Sequence, residues 1–334
     1  MYHPRLYGSF YEMGHKYGKL LYKKANFSIP EITTEKSNFG LKAYQELKNF
    51  YPEAIEEIEG FAAGINDKPE KLGAFLLSIP VLENTGQCSV FAYQGDNGVI
   101  VGRNYDMLFE FKKFTESSLI APTGKYAYIS QSDVFIGRSD GINEKGLSIA
   151  MAFVNGKNYV PGISFHFIIK KVLENCASTQ EAIQLITTAK VASSNNFLVA
   201  DKEGTLAIIE SAPQKSHVIY PKKGTNYLYI TNQFTSNTMK NYDAGGVAWS
   251  KSLVRYQSLA HKLAVTKNLD LAQAKAILSD KCVCLNLRKE KFGTIWSVVA
   301  KLNNLEIERA EAKPTLTNYK PETRLAWWLK RRAR

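Results

Sequence analysis

The chain has 334 residues, 45% of them hydrophobic, and a formal net charge of +12. This length and apolar content support a sizeable core. No linker rich in Ser, Gly or Pro divides the chain, so one large domain and two smaller ones fit the sequence equally well. Four cysteines with uneven spacing argue against a disulfide framework and fit no zinc site, so we expect neither disulfides nor a bound metal.

The positive charge is scattered, with one dense run at residues 330–334 after Trp327 and Trp328. We interpret this run as a solvated tail, with attraction to acidic substrates or a membrane surface as the alternative. Basic and aromatic residues do not interleave as in a nucleic-acid site, so no such partner is expected. Residues 1–5 do not resemble a signal peptide and no long apolar run follows, which predicts a cytoplasmic protein without stable membrane insertion.

The first eighty residues have helical periodicity. Residues 10–24 place Tyr11, Tyr17, Leu20 and Leu21 near one face of a predicted helix. Residues 53–63 form a second amphipathic pattern that ends in a Gly-Ile-Asn capping signal, and a third helix is predicted from residue 68 to residue 77.

From Cys88 onward the pattern is typical of strands. Residues 90–93 and 99–103 flank the turn at 95–98 and predict a hairpin. The remaining predicted strands are 126–131, 134–137, 147–153, 197–200, 206–210, 217–220, 227–231, 294–302 and 305–310, and the remaining helices are 165–175, 179–187, 252–263 and 271–279. Hairpins beside grouped helices favour an α+β protein with antiparallel sheets over a βαβ array.

Several catalytic motifs can be set aside. The G-x-S-x-G pattern at 137–141 is followed by a turn and a strand, whereas a nucleophile elbow runs from a strand into a helix. The five histidines have no metal-ligand spacing, and no nucleotide-binding fingerprint is present, so we expect no cofactor.

Cys88 is the strongest candidate for chemistry. A lone cysteine is usually a buried small hydrophobe, but a cysteine nucleophile needs a stabilised thiolate and a nearby base. Arg103, at the end of the second hairpin strand, can lie beside Cys88 and lower the pKa of its thiol, and Asp106 follows three residues later. A surface Arg/Asp pair after a hairpin is the alternative interpretation.

Five segments carry a resemblance to a known family. They are residues 8–20, 57–64, 102–106 (Gly-Arg-Asn-Tyr-Asp), 140–147 (Asp-Gly-Ile-Asn-Glu-Lys-Gly-Leu) and 231–232 (Thr-Asn). Together they resemble the N-terminal-nucleophile cysteine hydrolases, specifically the isopenicillin N acyltransferase branch and its relatives, the choloylglycine hydrolases and penicillin V acylases. The resemblance covers nearly the whole chain.

The resemblance implies a four-layer αββα sandwich of two antiparallel sheets. It also implies a zymogen that cuts itself between Gln87 and Cys88. Residues 1–87 would then be a helical pro-segment and residues 88–334 the catalytic fragment, both parts of one domain.

The resemblance further implies roles for individual residues. Cys88 would be the nucleophile, and its freed α-amine, which titrates near pH 8, would be the general base. Arg103 would stabilise the thiolate and Asp106 would orient the amine. Asn232 would donate to the oxyanion, and Arg255 is the best match to a late arginine of the family.

Two positions depart from the family pattern. Phe153 stands where choloylglycine hydrolases have an oxyanion-hole asparagine and penicillin V acylases a tyrosine, so only its backbone amide could serve. Asn155 would face the same way if the strand stays regular. Gln87 stands where acyltransferase relatives often have glycine. The departure at Phe153 argues against bile-salt specificity, and the departure at Gln87 bears on the efficiency of cleavage.

The predicted function is hydrolysis of a linear amide in a small N-acyl substrate through a Cys88 thioester. Acyl transfer to an amine or coenzyme A is a close alternative, and a catalytically inactive binding protein with the same fold is another. A peripheral membrane role guided by residues 327–334 is compatible with an enzyme, and homo-oligomer formation stays open.

Overall fold

The computed structural model describes residues 1–83, 85–246 and 248–332. Its helices are α1 (Phe10–Ala25), α2 (Thr34–Phe50), α3 (Pro52–Gly64), α4 (Pro69–Leu82), α5 (Phe165–Asn175), α6 (Thr179–Thr188), α7 (Ser252–Val265), α8 (Leu271–Ser279) and α9 (Arg324–Arg332). Its strands are β1 (Arg5–Gly8), β2 (Gln87–Gly95), β3 (Gly98–Leu108), β4 (Glu116–Pro122), β5 (Tyr128–Ser132), β6 (Asp140–Asn143), β7 (Leu147–Phe153), β8 (Asn195–Asp201), β9 (Leu206–Ala212), β10 (Lys215–Ile219), β11 (Tyr227–Ile230), β12 (Asn286–Leu287), β13 (Phe292–Lys301), β14 (Glu306–Ala310) and β15 (Lys320–Pro321).

The strands form two sheets that share one hydrophobic core. One sheet has the order β1-β4-β5-β6-β7-β8-β9-β10, and the other has the order β11-β2-β3-β13-β14-β15, with β12 paired to β13. Helices α5 and α6 pack on the first sheet, and α7 and α8 pack on the second. Pairing is antiparallel except between β1 and β4. The predicted α+β sandwich is confirmed.

Most predicted elements after Cys88 agree with the structure. The β2–β3 hairpin closes through a two-residue turn before Gly98, whose φ of 88° lies in the region that favours glycine. The strand predicted at 134–137 is wrong. There the Gly137 N–H donates to the Val134 carbonyl at 2.7 Å and closes a turn, although alternating apolar residues imitate a strand.

The buried face of α1 also differs from the predicted one. Of the four residues predicted on one face, Tyr17 is buried and Leu21 packs partly buried against the core, whereas Tyr11 and Leu20 are 47% and 45% exposed. The stripe that packs on α3 contains Gly14 and Gly18, and a Cβ at Gly14 would lie 2.0 Å from the carbonyl oxygen of Glu57. The helices approach backbone to backbone at these glycines, and Tyr17 packs edge-on against Phe61 of α3 beside them.

A buried ion pair and a buried hydrogen bond join the N-terminal helices to the rest of the fold. Lys170 on α5 lies 2.8 Å from Glu57 on α3 and 2.8 Å from Glu174, with all three side chains almost completely buried. Tyr51, at the start of α3, donates a hydrogen bond to Glu174. Burial raises the pKa of Glu57, and the charge of Lys170 opposes that shift. These contacts hold residues 1–83 against the sheets.

Within the described parts of the chain, no helix is long and apolar enough to cross a membrane.

Candidate active site

The register of three neighbouring strands places the site. β2 pairs with β3 so that Cys88 lies opposite Tyr105 and Gln87 opposite Asp106. On its other edge, β2 pairs with β11, where Ile230 lies opposite Val90. Continuing that antiparallel register by two residues brings the residue after Thr231 beside Cys88. That residue is Asn232, so Cys88 lies between Tyr105 on β3 and Asn232 after β11.

The Cys88 thiol faces the other sheet and is in contact with Arg103. Cys88 is 1% exposed, and Arg103 Nη2 donates to its Sγ at 3.3 Å. The same guanidinium forms an ion pair with Asp140 on β6 and donates to the Met151 carbonyl on β7 at 3.4 Å. Burial raises the pKa of the Cys88 thiol, and the Arg103 charge opposes this rise.

Aromatic rings form one wall around this ion pair. Tyr105 stacks on Trp296 with ring centroids 3.9 Å apart, and the Arg103 guanidinium lies 5.0 Å from the Tyr105 centroid. Trp296 Nε1 donates to Asp140 Oδ2 at 3.3 Å. Sequence reasoning assigned no role to these two rings or to Asp140. Asp140 and Tyr105 lie inside recognised motifs, whereas nothing in the sequence marks Trp296.

The backbone of Cys88 has its own partner. Cys88 N donates to Asn232 Oδ1 at 3.0 Å, and Asn232 Nδ2 donates to the Phe153 carbonyl at 2.8 Å. The Asn232 amide nitrogen carries two hydrogens, so a second hydrogen bond can be donated from it. The Phe153 carbonyl thus accepts a hydrogen bond from Asn232. The oxyanion-hole role predicted for the Phe153 backbone amide stays a prediction.

Arg255 on α7 contacts both sides of the Gln87–Cys88 bond. Its Nη1 donates to the Cys88 carbonyl, and its Nη2 donates to Gln87 Oε1 at 3.3 Å and to Asn232 Oδ1 at 2.9 Å. Its Nε donates to the Ser250 carbonyl at 3.0 Å. All these acceptors are neutral, and burial lowers the pKa of the guanidinium. The family resemblance offered Arg255 as the best match to a late arginine, and the structure places it at the bond predicted to be cut.

Asp106 lies on the opposite face of β3 from Arg103, because the two residues are three apart on a strand. It is fully buried, and Thr294 Oγ1 donates to its Oδ1 at 2.6 Å. Its Oδ2 has no hydrogen-bond partner among the described residues. Burial raises the pKa of Asp106 to about 6, and the charge of Arg255 opposes that shift. An unpartnered carboxylate oxygen can accept from an ammonium or amine.

A pocket of about 120 Å³ opens beside these groups. Its lining residues come from the segment before Cys88, the end of β7 and the segments after β11: Thr85, Gln87, Phe153, Asn155, Asn232, Gly246 and Trp249. β7 ends at Phe153, so Asn155 lies in the following loop, where its Nδ2 donates to the Gly245 carbonyl at 3.0 Å. The pocket therefore combines amide side chains with two aromatic rings.

The structure thus brings all the predicted site residues to one end of β2. A thiol, a guanidinium and an amide side chain in this arrangement can stabilise a thiolate and hold the nitrogen of the same cysteine.

Comparisons with known proteins identify the family of the chain. Residues 93–315 match the family of acyl-coenzyme A:6-aminopenicillanic acid acyl-transferase, so the match begins five residues after Cys88. A search of curated proteins finds no match.

Solved structures of three other proteins are similar. A mutant of conjugated bile acid hydrolase from Clostridium perfringens is 16% identical with a TM-score of 0.54, covering 71% of this chain and 93% of that one. Penicillin V acylase from Agrobacterium tumefaciens is 17% identical with a TM-score of 0.46, covering 67% and 83%. The Caenorhabditis elegans N-acylethanolamine-hydrolyzing acid amidase ortholog is 21% identical with a TM-score of 0.49, covering 65% and 93%.

The bile acid hydrolase match confirms the sandwich fold. The resemblance to N-terminal-nucleophile hydrolases that the sequence motifs carry is also confirmed. Since the family match spans more than half of its residues, the chain belongs to the acyl-coenzyme A:6-aminopenicillanic acid acyl-transferase family.

Proposed function

We propose that this protein is a cysteine amidohydrolase that cuts its own chain between Gln87 and Cys88. It then cleaves a linear amide bond in a small N-acyl substrate through a thioester on Cys88. One observation carries the proposal: the thiol of Cys88 is bound by Arg103 and the backbone nitrogen of the same residue is bound by Asn232. The family description supports acyl chemistry, and the similar structure named as a conjugated bile acid hydrolase supports hydrolysis.

Self-cleavage begins with the uncut thiol. The Cys88 sulfur attacks the Gln87 carbonyl carbon, the C–N bond breaks, and the thiol proton passes to the departing Cys88 nitrogen. Water then hydrolyses the resulting thioester, leaving a carboxylate on Gln87 and a free α-amine and thiol on Cys88. Arg255 would hold the Gln87 side chain and the Cys88 carbonyl during this exchange.

In turnover the freed α-amine accepts the thiol proton, and Arg103 stabilises the thiolate. The sulfur attacks the substrate carbonyl, and Asn232 donates its second amide hydrogen to the oxyanion. Loss of such a donor typically costs about 2.7 to 4 kcal/mol of barrier. The leaving amine takes the proton back from the ammonium, and water hydrolyses the thioester. Asp106 would hold the ammonium through its unpartnered oxygen.

Acyl transfer is a second candidate because the family description names an acyl-transferase. The same acyl-enzyme would then be attacked by an amine or a thiol such as coenzyme A instead of water. The partition of a labelled acyl group between water and added amines separates the two: a product acid that is independent of added amine indicates hydrolysis.

The test of self-cleavage is the intact mass of purified wild type, Cys88→Ala and Cys176→Ala. We expect two fragments with Cys88 at a new N-terminus for wild type and for Cys176→Ala, whose buried cysteine lies after α5. Cys88→Ala should stay one chain. An uncut wild-type protein that still hydrolyses amides would sink the α-amine mechanism, and an uncut, inactive one would favour a binding protein.

A further inference from the structure

One face of the molecule combines exposed aromatic rings with cations. Tyr7 on β1 stacks on Trp328 of α9 with ring centroids 5.3 Å apart, and the Lys16 ammonium lies 4.6 Å from the Tyr7 centroid. Arg5 and Arg331 approach the Trp327 ring at 5.4 and 5.5 Å. Together these residues form an aromatic-basic surface: Arg5, Tyr7, Lys16, Trp327, Trp328 and Arg331.

An apolar groove of about 490 Å³ continues this surface. Lys16, Leu20 and Lys24 are spaced four residues apart and share one stripe of α1. Lys16 contacts Tyr7, whereas Leu20 and Lys24 line the groove. The segment before Arg5 lines it as well, so the groove and the aromatic-basic surface adjoin each other along both α1 and the N-terminal strand.

Four apolar side chains of this face are each more than 40% exposed. Tyr7 is 44% exposed, Leu20 45%, Phe114 at the groove 45% and Trp327 43%. Packing of α1 on α3 uses the glycine stripe and needs none of them. Clustered exposed apolar groups of this kind mark interaction sites.

The charge of the same segments is strongly positive. Residues 1–27 contain five lysines and arginines against one acidic residue, Glu12, which caps α1 through Ser9. α9 has no acidic residue and ends in Lys330, Arg331 and Arg332, of which Arg332 pairs with Glu144 at 2.8 Å. The complement of this face is a negatively charged surface.

We propose that the aromatic-basic surface and the adjoining groove dock on an anionic lipid bilayer. Trp and Tyr rings favour the membrane interface, and lysines and arginines beside them are attracted to anionic headgroups. The groove offers an apolar channel for an acyl chain of a bilayer lipid. This inference does not rest on the proposed catalytic function, so Cys88→Ala should bind as wild type does.

Flotation of the full chain with vesicles tests the inference. Wild type should float with vesicles of mixed phosphatidylserine and phosphatidylcholine, and bind pure phosphatidylcholine far less. The double variant Trp327→Ser, Arg331→Gln should bind the anionic vesicles about tenfold more weakly, because it removes one ring and one cation. Leu20→Ser with Phe114→Ser should weaken binding through the groove alone.

The matched control is Tyr220→Ser with Lys222→Gln, an exposed aromatic and cation at another site; Tyr220 is 49% exposed. This control should bind as wild type does. Absence of wild-type binding to anionic vesicles would overturn the proposal. A loss of vesicle binding in the control as large as the loss in the Trp327 variant would overturn it too. So would wild-type binding to a soluble polyanion, such as heparin, that equals its binding to the anionic vesicles.

Discussion

At the scale of single residues, Cys88 is held by separate groups on its side chain and its backbone. Arg103 contacts the thiol from one face of the sheet, while Asn232 and Arg255 contact the backbone nitrogen and carbonyl. A change to the thiol therefore need not disturb the backbone contacts. This separation makes Cys88→Ala a suitable reference for the uncut protein.

Asp106 gives the uncut protein a defined pH dependence. Its pKa in the fold is about 6, against an ordinary 3.8, so the folded state holds the proton more tightly. The protonated Asp106 side chain therefore stabilises the fold, fully below pH about 4, and this stabilisation is lost as the pH rises through about 6. The free energy of unfolding changes by about 3 kcal/mol, at 1.36 kcal/mol per pKa unit. Urea unfolding measures this change by comparing Cys88→Ala with Cys88→Ala that also carries Asp106→Asn. The difference between their free energies of unfolding should change over this pH range.

The asparagine that replaces Asp106 in the second protein cannot titrate, so all other carboxylates cancel in the comparison. A difference in unfolding free energy that is constant from pH about 4 to about 7 would contradict the assignment.

Arg103 should not tolerate lysine. The guanidinium contacts Cys88 and Asp140 at once through its fork, and one ammonium lacks that geometry. We expect Arg103→Lys to slow self-cleavage by about tenfold or more, the loss of one charged hydrogen bond, measured as the half-time of fragment appearance on a gel. Arg309→Lys, a buried arginine paired with Glu322 elsewhere, controls for stability and should cleave at the wild-type rate.

At the scale of elements, the α1–α3 contact depends on glycine. A Cβ at Gly14 or Gly60 would lie 2.0 or 2.1 Å from a backbone oxygen of the facing helix. Since backbone cannot move aside cheaply, Gly60→Ala should destabilise the protein by about 2 kcal/mol or more. Thermal unfolding measures this loss. Ala63→Ser on the exposed side of α3 should change stability by about 0.5 kcal/mol at most, and equal effects would refute the packing argument.

The same glycines explain why some elements could not be predicted from apolar periodicity. Most sheet strands and the helices α5 to α8 follow from apolar periodicity because large side chains face the core. α2 was missed because its buried stripe includes Gly40 and Ala43, which weaken the apolar signal. The predicted face of α1 was wrong at Tyr11 and Leu20 for a related reason, since Gly14 and Gly18 take part in the contact with α3.

The candidate site was predictable in its residues but not in its contacts. Motifs pointed to Cys88, Arg103, Asp106 and Asn232, and strand register then explains their convergence. Trp296 could not be found, because its role arises from a bulge in β13 where the register with β3 shifts. Such irregularity leaves no periodic trace in a sequence.

At the scale of the whole molecule, the two predicted fragments share one core. The ion pair of Lys170 with Glu57 and the hydrogen bond from Tyr51 to Glu174 cross the junction, and β1 pairs with β4 in the first sheet. The division at 87 and 88 is still a prediction. If it is correct, both fragments should stay in one particle after cleavage, because separation would expose buried charges and a sheet edge.

Lys170→Met should weaken this association. It leaves Glu57 and Glu174 buried without their cation, which typically costs about 3 to 5 kcal/mol. Size-exclusion chromatography of cleaved protein in increasing urea should show fragment 1–87 released earlier than in wild type. Lys190→Met is the matched control, since its pair with Glu46 crosses the same junction but is exposed; its loss should cost no more than about 1 kcal/mol. Equal release from both variants would show that the buried pairs do not hold the fragments.

The position of Cys88 within β2 has a consequence for heat inactivation. Chain termini are ordinarily poorly ordered. Since β2 lies between β11 and β3, a terminus made at Cys88 would be held in place by neighbouring strands on both sides. The base and the nucleophile would share one Cα at a fixed separation, and no ordering entropy would be lost in each catalytic cycle. Such an enzyme would keep its full rate up to the melting of the sheet itself, so that activity and tertiary structure would disappear at one temperature.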